Sequence, residues 1–319
     1  MHIVSCTDTN FVIPLGVMMH SLCVNNEKEE LHFHIIVDDT VTEQQKDELR
    51  TVVPEDGTID FYLINIENIR QYLIVRVENF PVPIYYRLLM AKILPETIKK
   101  VLYLDADIIV RHDLSELWNT SLEGLAVAGV PNASFINHCE RLGYASNLGY
   151  FNSGVLLFNL DYIRNKELTK QFIYYIKANP EKLIMPDQDV LNYVLRDCKL
   201  MLSVRNNAQE EFYRIPPVIK YVDDQSLEEG IRNPNIVHYT GIKPWNSNSR
   251  HPLKNLYYNY KNATIWRDNL YMESFRYKKI KNSFLIQIKI LIVDMMRFFG
   301  CYKKVEPITL NYLDIHLDR

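Results

Sequence analysis

The sequence predicts an α/β fold in which a mostly parallel central sheet is flanked by helices, with a helical extension at the C-terminus. Three observations predict it. Apolar runs of strand length alternate with helix-length segments through most of the chain. Acidic and short polar residues follow several of the apolar runs, where a parallel sheet presents its ligand-binding edge. The tail after residue 265 changes character and reads as a separate helical region.

The elements follow in order. Ile3 to Cys6 reads as the first strand, and Pro14 to Val24 as a helix begun by an early proline. Leu31 to Val37 is the second strand and ends in Asp38 and Asp39. Thr42 to Val53 reads as a helix with Val41 or Thr42 as its cap. Ile59 to Ile64 is a third strand. A helix from Ile84 to Leu94 stops before Pro95, and Val101 to Leu104 is a buried strand. Ala126 to Val130 and Gly154 to Phe158 read as further strands, and Tyr162 to Ala178 as one amphipathic helix. Strand alternating with helix is the pattern of a parallel sheet covered on both faces.

Composition narrows the function classes. The 319 residues are 47% hydrophobic, enough to bury a large core. The formal charge of −3 gives no support to a nucleic-acid partner. Five scattered cysteines without a CxxC pair argue against a disulfide framework and against a zinc–thiolate site. The opening MHIVSCTDTNF runs straight into a strand-like segment and lacks a signal-peptide pattern, so the expected compartment is the cytoplasm. The 21 tyrosines suit both a tyrosine-rich core and sugar-binding surfaces.

The chemistry begins at Asp105 and Asp107 in VLYLDADIIV. Carboxylates at i and i+2 of an extended chain point the same way and can share a cation. A bare Asp-x-Asp is common, and Asp187-Gln-Asp189 is another. The long apolar flanks single out the first pair, because two buried acids need a counter-charge. His238, in NIVHYTGIKPW, reads either as a core histidine or as a third ligand. Gly241 and Lys243 beyond it suit a pyrophosphate cradle. Two carboxylates plus an imidazole favour Mn²⁺ over Ca²⁺, with Mg²⁺ as the weaker alternative. Cys6-Thr7-Asp8-Thr9-Asn10 at the end of the first strand reads as a nucleoside contact or as a plain Asx-type turn. Arg87 lies on an apolar helix and could neutralise a phosphate or fix one of the acids.

Six segments in this order, TDTNF, YYRLLMAKILP, VLYLDADIIV, YFNSGVLLFNL, MPDQDVLN and VHYTGIKPW, resemble the family 8 glycosyltransferases. The likeness runs over roughly residues 1 to 265 and is strongest to the bacterial lipooligosaccharide galactosyltransferases, and more distant to glycogenin. It implies a GT-A nucleotide-sugar-binding fold over 1–265. It also implies Mn²⁺ on Asp105, Asp107 and His238, with Ala106 between the two acids in the donor site. Thr7, Asp8 and Asn10, next to Cys6, are then expected at uridine, and Gly241 and Lys243 at the diphosphate. Arg87 is expected near the donor, and Asn152, Asp187 and Gln188 at the donor sugar and reacting centre. The implied donor is UDP-galactose or UDP-glucose, and the implied acceptor a glycan or glycolipid. The family retains anomeric configuration. Gln188 is a neutral amide and a poor nucleophile, so the expected course is a front-face substitution. Asp187 is expected to bind sugar hydroxyls or to serve the N-terminus of its helix. The competing readings are a metal-dependent nucleotidyltransferase or phosphohydrolase, and a catalytically silent membrane-associated scaffold. The first would be expected to carry a Gly-rich or Lys-rich phosphate loop after strand one, and CTDTNF has none.

Residues 266–319 form the expected helical extension. From Arg276 to Lys304 polar residues recur at helical spacing, leaving a wide apolar face with bases at both ends. Such a segment is too short and too charged to span a bilayer but suits a helix lying in a membrane interface, here the inner face of the cell membrane. A helix docked on the catalytic domain fits the same pattern. Acceptor choice is expected in variable loops such as Asn132 to Gly149.

Overall fold

The structure, a computed structural model, describes residues 1–65, 82–133, 137–215, 222, 224–269 and 311–312. The proposed interfacial helix from Arg276 to Lys304 lies outside these residues, as do positions 134–136 of the expected acceptor loop.

Seven strands build the central sheet in the order β3-β2-β1-β4-β7-β6-β8. They are β1 (His2–Thr7), β2 (His32–Val37), β3 (Thr58–Leu63), β4 (Lys100–Leu104), β6 (Val127–Pro131), β7 (Phe151–Asn159) and β8 (Lys199–Met201). All neighbours run parallel except at β7, which is antiparallel to both β4 and β6. A second sheet joins β5 (Ile108–Val110), β11 (Ile236–His238) and β9 (Ala208–Gln209), with β11 in the middle. The short strands β10 (Arg214–Ile215) and β12 (Asn311–Tyr312) pair antiparallel.

The two-residue period of a strand divides the core between the two faces of the sheet. Val4, Ile36, Tyr103, Leu156 and Phe158 pack on one side. Ile3, Ile35, Leu102, Leu104 and Leu157 pack on the other. Because both faces are covered, the strands read as near-continuous apolar runs, and β7 is buried from Phe151 to Phe158.

The first helix runs Val12–Asn25, with Pro14 in its opening turn. The second runs Glu43–Arg50 and is capped by Thr42, whose side chain accepts from the Gln45 amide while Gln45 returns to Thr42. Two expected helices differ. The Ile84–Leu94 helix is 3₁₀ over Val82–Leu89 and α-helical only over Met90–Ile93. The tighter winding coincides with Arg87 reaching the Ser153 carbonyl and the Asp105 carboxylate. The Tyr162–Ala178 helix is two helices, Leu160–Asn165 and Leu168–Ala178, separated at Glu167 in the left-handed region with φ 51°. Asn159 caps the first of them, and Arg164 ties it to the carbonyls of Ala91, Leu94, Pro95 and Ile98.

Trp266 belongs to the core rather than to the extension. Its ring lies over Gly16, where an added Cβ would come within 2.1 Å of it, and its indole nitrogen donates to Glu48 at 3.1 Å.

Candidate active site

β4 ends at Leu104, and the chain turns through Asp105-Ala106-Asp107 before entering β5 in the second sheet. The acid pair therefore sits in a turn at the junction of two sheets, not in extended chain as expected. The Asp105 amide donates to the Gly154 carbonyl on β7 at 2.8 Å, and the Tyr239 amide donates to the Asp107 carbonyl at 3.0 Å. His238 ends β11 opposite Ile108. This pairing brings a histidine 131 positions or more away in sequence beside the acids. Its Nε2 lies 3.4 Å from Asp107 Oδ1 and 3.9 Å from Asp105 Oδ2.

A cavity of about 250 Å³ opens at the carboxyl ends of β1 and β4. Cys6, Thr7, Asp8, Arg87, Asp105, Ala106, Asp107 and Lys243 all line it, together with Phe11 and Tyr103. Asn10 is outside the lining, and its amide donates to Asp8 Oδ1 at 2.8 Å to close the Asx turn. Gly241 also stands back from it. A Cβ there would meet the Glu210 carboxylate at 2.3 Å, so any side chain at 241 would have to displace that carboxylate.

Charge is balanced around one arginine. Arg87 donates to Asp105 Oδ1 at 2.9 Å and to the Ser153 carbonyl at 2.7 Å, and its Nε lies 3.2 Å from Asp187 Oδ2. Its guanidinium also lies 4.5 Å from the Tyr103 ring centre, and the Tyr103 hydroxyl donates to Asp105 at 2.8 Å. Burial pushes the Asp187 carboxyl up, with Arg87 opposing the rise. Burial also acts to raise Asp107, but Lys243 and His238 outweigh it and hold that carboxyl well below the usual range. Lys243 Nζ touches Asp107 Oδ2 and donates to the Tyr239 carbonyl at 2.8 Å. Burial pushes the Cys6 thiol up to about 12, so it lines the cavity as a neutral group.

Asp105, Asp107 and His238 fit a divalent cation on the geometry. One ligand atom from each lies within 4.8 Å of the others. His238 Nδ1 is engaged by Asn207 Oδ1 at 2.9 Å, which leaves Nε2 facing the carboxylates. Gly154 keeps the approach open, since a Cβ there would fall 2.2 Å from the imidazole and 2.7 Å from Asp105 Oδ2. The set of two carboxylates and one imidazole suits a divalent cation.

Asn152 and Gln188 meet beside this centre. Asn152 Nδ2 lies 3.3 Å from Gln188 Oε1, which also accepts the Ser153 amide at 2.9 Å. Asp187 and Gln188 lie in the first turn of the Pro186–Val194 helix. Asp189, the next residue, is fully buried and accepts from Tyr150, Arg141 and the amides of Ile184 and Met185. That locks the turn carrying Asp187 and Gln188.

The sequence reading did not single out Tyr103, Ser153, Asn207 and Glu210, and named Asn132 only as the start of an acceptor loop. Only Tyr103 had a local signal, two positions before Asp105 on the same strand. The others reach the site through sheet pairing and loop packing.

Comparison with known proteins gives the family. Residues 2–249 match the model of Glycosyl transferase family 8, so the chain belongs to that family. It is 30% identical over 271 residues to General stress protein A of Bacillus subtilis (strain 168), covering 83% of this chain and 94% of that protein. It is 30% identical over 273 residues to the lipopolysaccharide glucosyltransferase WaaO of Escherichia coli (strain K12), covering 82% and 78%. Lipopolysaccharide 1,3-galactosyltransferase of Salmonella typhimurium is 27% identical over 81% of this chain and 77% of its own length. Among solved structures, the galactosyltransferase LgtC in complex with donor and acceptor sugar analogs superposes with a TM-score of 0.74 at 23% identity, covering 84% of this chain and 99% of that one. The fold is that of the GT-A glycosyltransferases.

Proposed function

We propose that this glycosyltransferase is a retaining hexosyltransferase that moves galactose or glucose from a UDP-sugar to a hydroxyl of a glycan or glycolipid acceptor in cell-surface glycan synthesis. The observation that carries the reading is the convergence of Asp105, Asp107 and His238 beside a cavity at the carboxyl end of β1. The similarity to enzymes named as lipopolysaccharide glucosyl- and galactosyltransferases supports the hexose and the acceptor class. Neither the nucleotidyl-transfer reading nor the silent-scaffold reading gains support from the family match.

Residues 1–265 would carry catalysis. Thr7 and Asp8 would receive the uridine, with Asn10 behind them closing the turn, and Cys6 and Phe11 would give the cavity its apolar wall. Asp105, Asp107 and His238 would hold Mn²⁺, or Mg²⁺ in its place, which when bound supplies positive charge opposite the diphosphate. Lys243 adds a fixed cation at the cavity and meets charge developing on the leaving oxygen, while Gly241 lets the loop approach. Arg87 fixes Asp105 and Asp187 in place. Asp187 and Asn152 bind sugar hydroxyls. Gln188 faces the anomeric centre and stabilises its positive character without forming a bond to it. The C1–O bond to UDP breaks as the acceptor oxygen bonds to C1 on the same face, and the acceptor proton passes to the departing phosphate oxygen.

We place the enzyme in the cytoplasm at the inner face of the cell membrane, held by the basic and apolar segment within 266–319. Among the described residues no helix is long and apolar enough to cross a membrane. The test is a panel of UDP-sugars assayed for UDP release with Mn²⁺ present, followed by NMR of the product. The reading expects UDP-galactose or UDP-glucose to be used and the α-configuration to be kept. Release from neither donor, or an inverted product, would contradict it.

A further inference from the structure

A chain of buried amides runs from the cation ligands to the sugar subsite, and one backbone group sets its direction. Asn152 Oδ1 accepts from the Gly154 amide at 3.0 Å. A backbone N–H can only donate, so the atom of Asn152 facing it must be the carbonyl oxygen. The same oxygen faces the Asn207 amide at 2.9 Å, and only the NH₂ of Asn207 can serve there. That leaves Asn207 Oδ1 facing His238 Nδ1 at 2.9 Å, where an acceptor requires the imidazole to donate. This unbroken series of obligatory roles puts a proton on His238 Nδ1, so Nε2 is the nitrogen that can offer a lone pair to a cation held between it and the two carboxylates.

Asn207 can hold both bonds because of where the fold puts it. It precedes β9, which pairs parallel with β11 so that Ala208 faces Val237 and Gln209 faces His238. Its side chain is fully buried, so no water competes for either end. The far end of the chain is equally fixed. Asn152 Nδ2 and Gln188 Nε2 converge on Asn132 Oδ1 at 3.5 and 3.2 Å. Gln209 holds that segment by donating to the Pro131 carbonyl and accepting the Ala133 amide, both at 2.9 Å.

We propose that Asn207 is a positioning residue that fixes the tautomer and ring orientation of His238 for a divalent cation and joins that ligand to Asn152 of the sugar subsite. The proposal rests on the cation and donor reading given above. Two substitutions separate the two ends of the side chain. Asn207→Asp keeps an acceptor for His238 Nδ1–H but offers Asn152 Oδ1 no donor. Asn207→Leu supplies neither bond.

The experiment has two readouts besides turnover. In ¹⁵N-histidine-labelled protein, with the His238 signal assigned by His238→Gln and the pH raised until the ring is neutral, the wild type and Asn207→Asp should both show the Nδ1–H tautomer. An Nε2–H tautomer in the wild type overturns the proposal whatever the cation reading. Mn²⁺ affinity, read by EPR of the free ion without nucleotide, should fall about 10- to 100-fold in Asn207→Leu and stay within about threefold in Asn207→Asp. In Asn207→Asp the loss should instead appear in kcat/KM for the UDP-sugar, by about tenfold or more. Equal loss of Mn²⁺ affinity in both variants, or no loss in either, overturns the proposal. If Asn207→Leu fails to fold, the split in Asn207→Asp between kept Mn²⁺ affinity and lost kcat/KM decides alone. Asp107→Asn separates the underlying reading: Mn²⁺ affinity unchanged by that substitution removes the cation site, independently of the tautomer result.

Discussion

Arg87 shows how much of the site depends on a single side chain. Its guanidinium serves Asp105, Asp187 and the Ser153 carbonyl while stacked on Tyr103, and its side chain is almost wholly buried. Removing one partner of a buried charge network leaves the others uncompensated, which costs about 3 to 5 kcal/mol. Arg87→Met is therefore expected to lower the unfolding free energy by about that amount, read by urea titration, and to abolish turnover. Stability equal to wild type would show that the acids are balanced some other way. The sequence made Arg87 conspicuous as a charge on an apolar helix, and offered it two roles, neutralising a phosphate or fixing one of the acids. The second acid, Asp187, lies 100 positions further along and has no local link to it. Asn207 was illegible for the same reason. Nothing around an Asn in RNNAQ marks it as the neighbour of His238 until β9 pairs with β11.

At the scale of elements, strands were legible because burial on both sheet faces writes long apolar runs, as in β2 and β7. Helix continuity was less legible. The apolar period from Tyr162 to Ala178 carries through Glu167, and only tertiary bonding breaks it. Arg164 is the fastener, donating to the Ala91 carbonyl within Met90–Ile93 and to the carbonyls of Leu94, Pro95, Glu96 and Ile98 in the segment that links it to β4. Arg164→Met would strip charged donors from these carbonyls, costing on the order of 2 to 4 kcal/mol. Because that segment continues from the 3₁₀ turn bearing Arg87, turnover should fall with stability. Urea unfolding and UDP release measured on the same preparation check this, and a variant with unchanged midpoint would contradict it. The acid pair illustrates the same limit. Its residues were identified from apolar flanks, but the turn that takes the chain from one sheet into the next was not visible.

For the whole molecule, the mostly parallel sheet expected from the sequence is the one found, whereas the acceptor is not written in any readable pattern. Stability should also vary with pH through the cluster on β1, β2 and β3. His34 bonds Tyr62 and His2, both at 3.0 Å, stacks with the His2 ring, and faces Asp60 at 3.9 Å. Burial pushes its imidazole down to about 4, with His2 and His32 adding to the fall and Asp60 opposing it. A folded pKa below the ordinary 6.5 means that the unfolded chain takes up the proton first. The stabilisation is complete above pH 6.5 and is lost as pH falls toward 4, by on the order of 2 kcal/mol. Wild type should lose that much more than His34→Phe between pH 7.5 and 4.5 in urea unfolding, and parallel losses would contradict the assignment. The central claim, that transfer from a UDP-sugar depends on a cation held by Asp105, Asp107 and His238, is tested most directly by Mn²⁺-dependent release of UDP. Asp105→Asn and Asp107→Asn should each lower it about 10³-fold or more, with the fold retained. Undiminished release in both variants would contradict it.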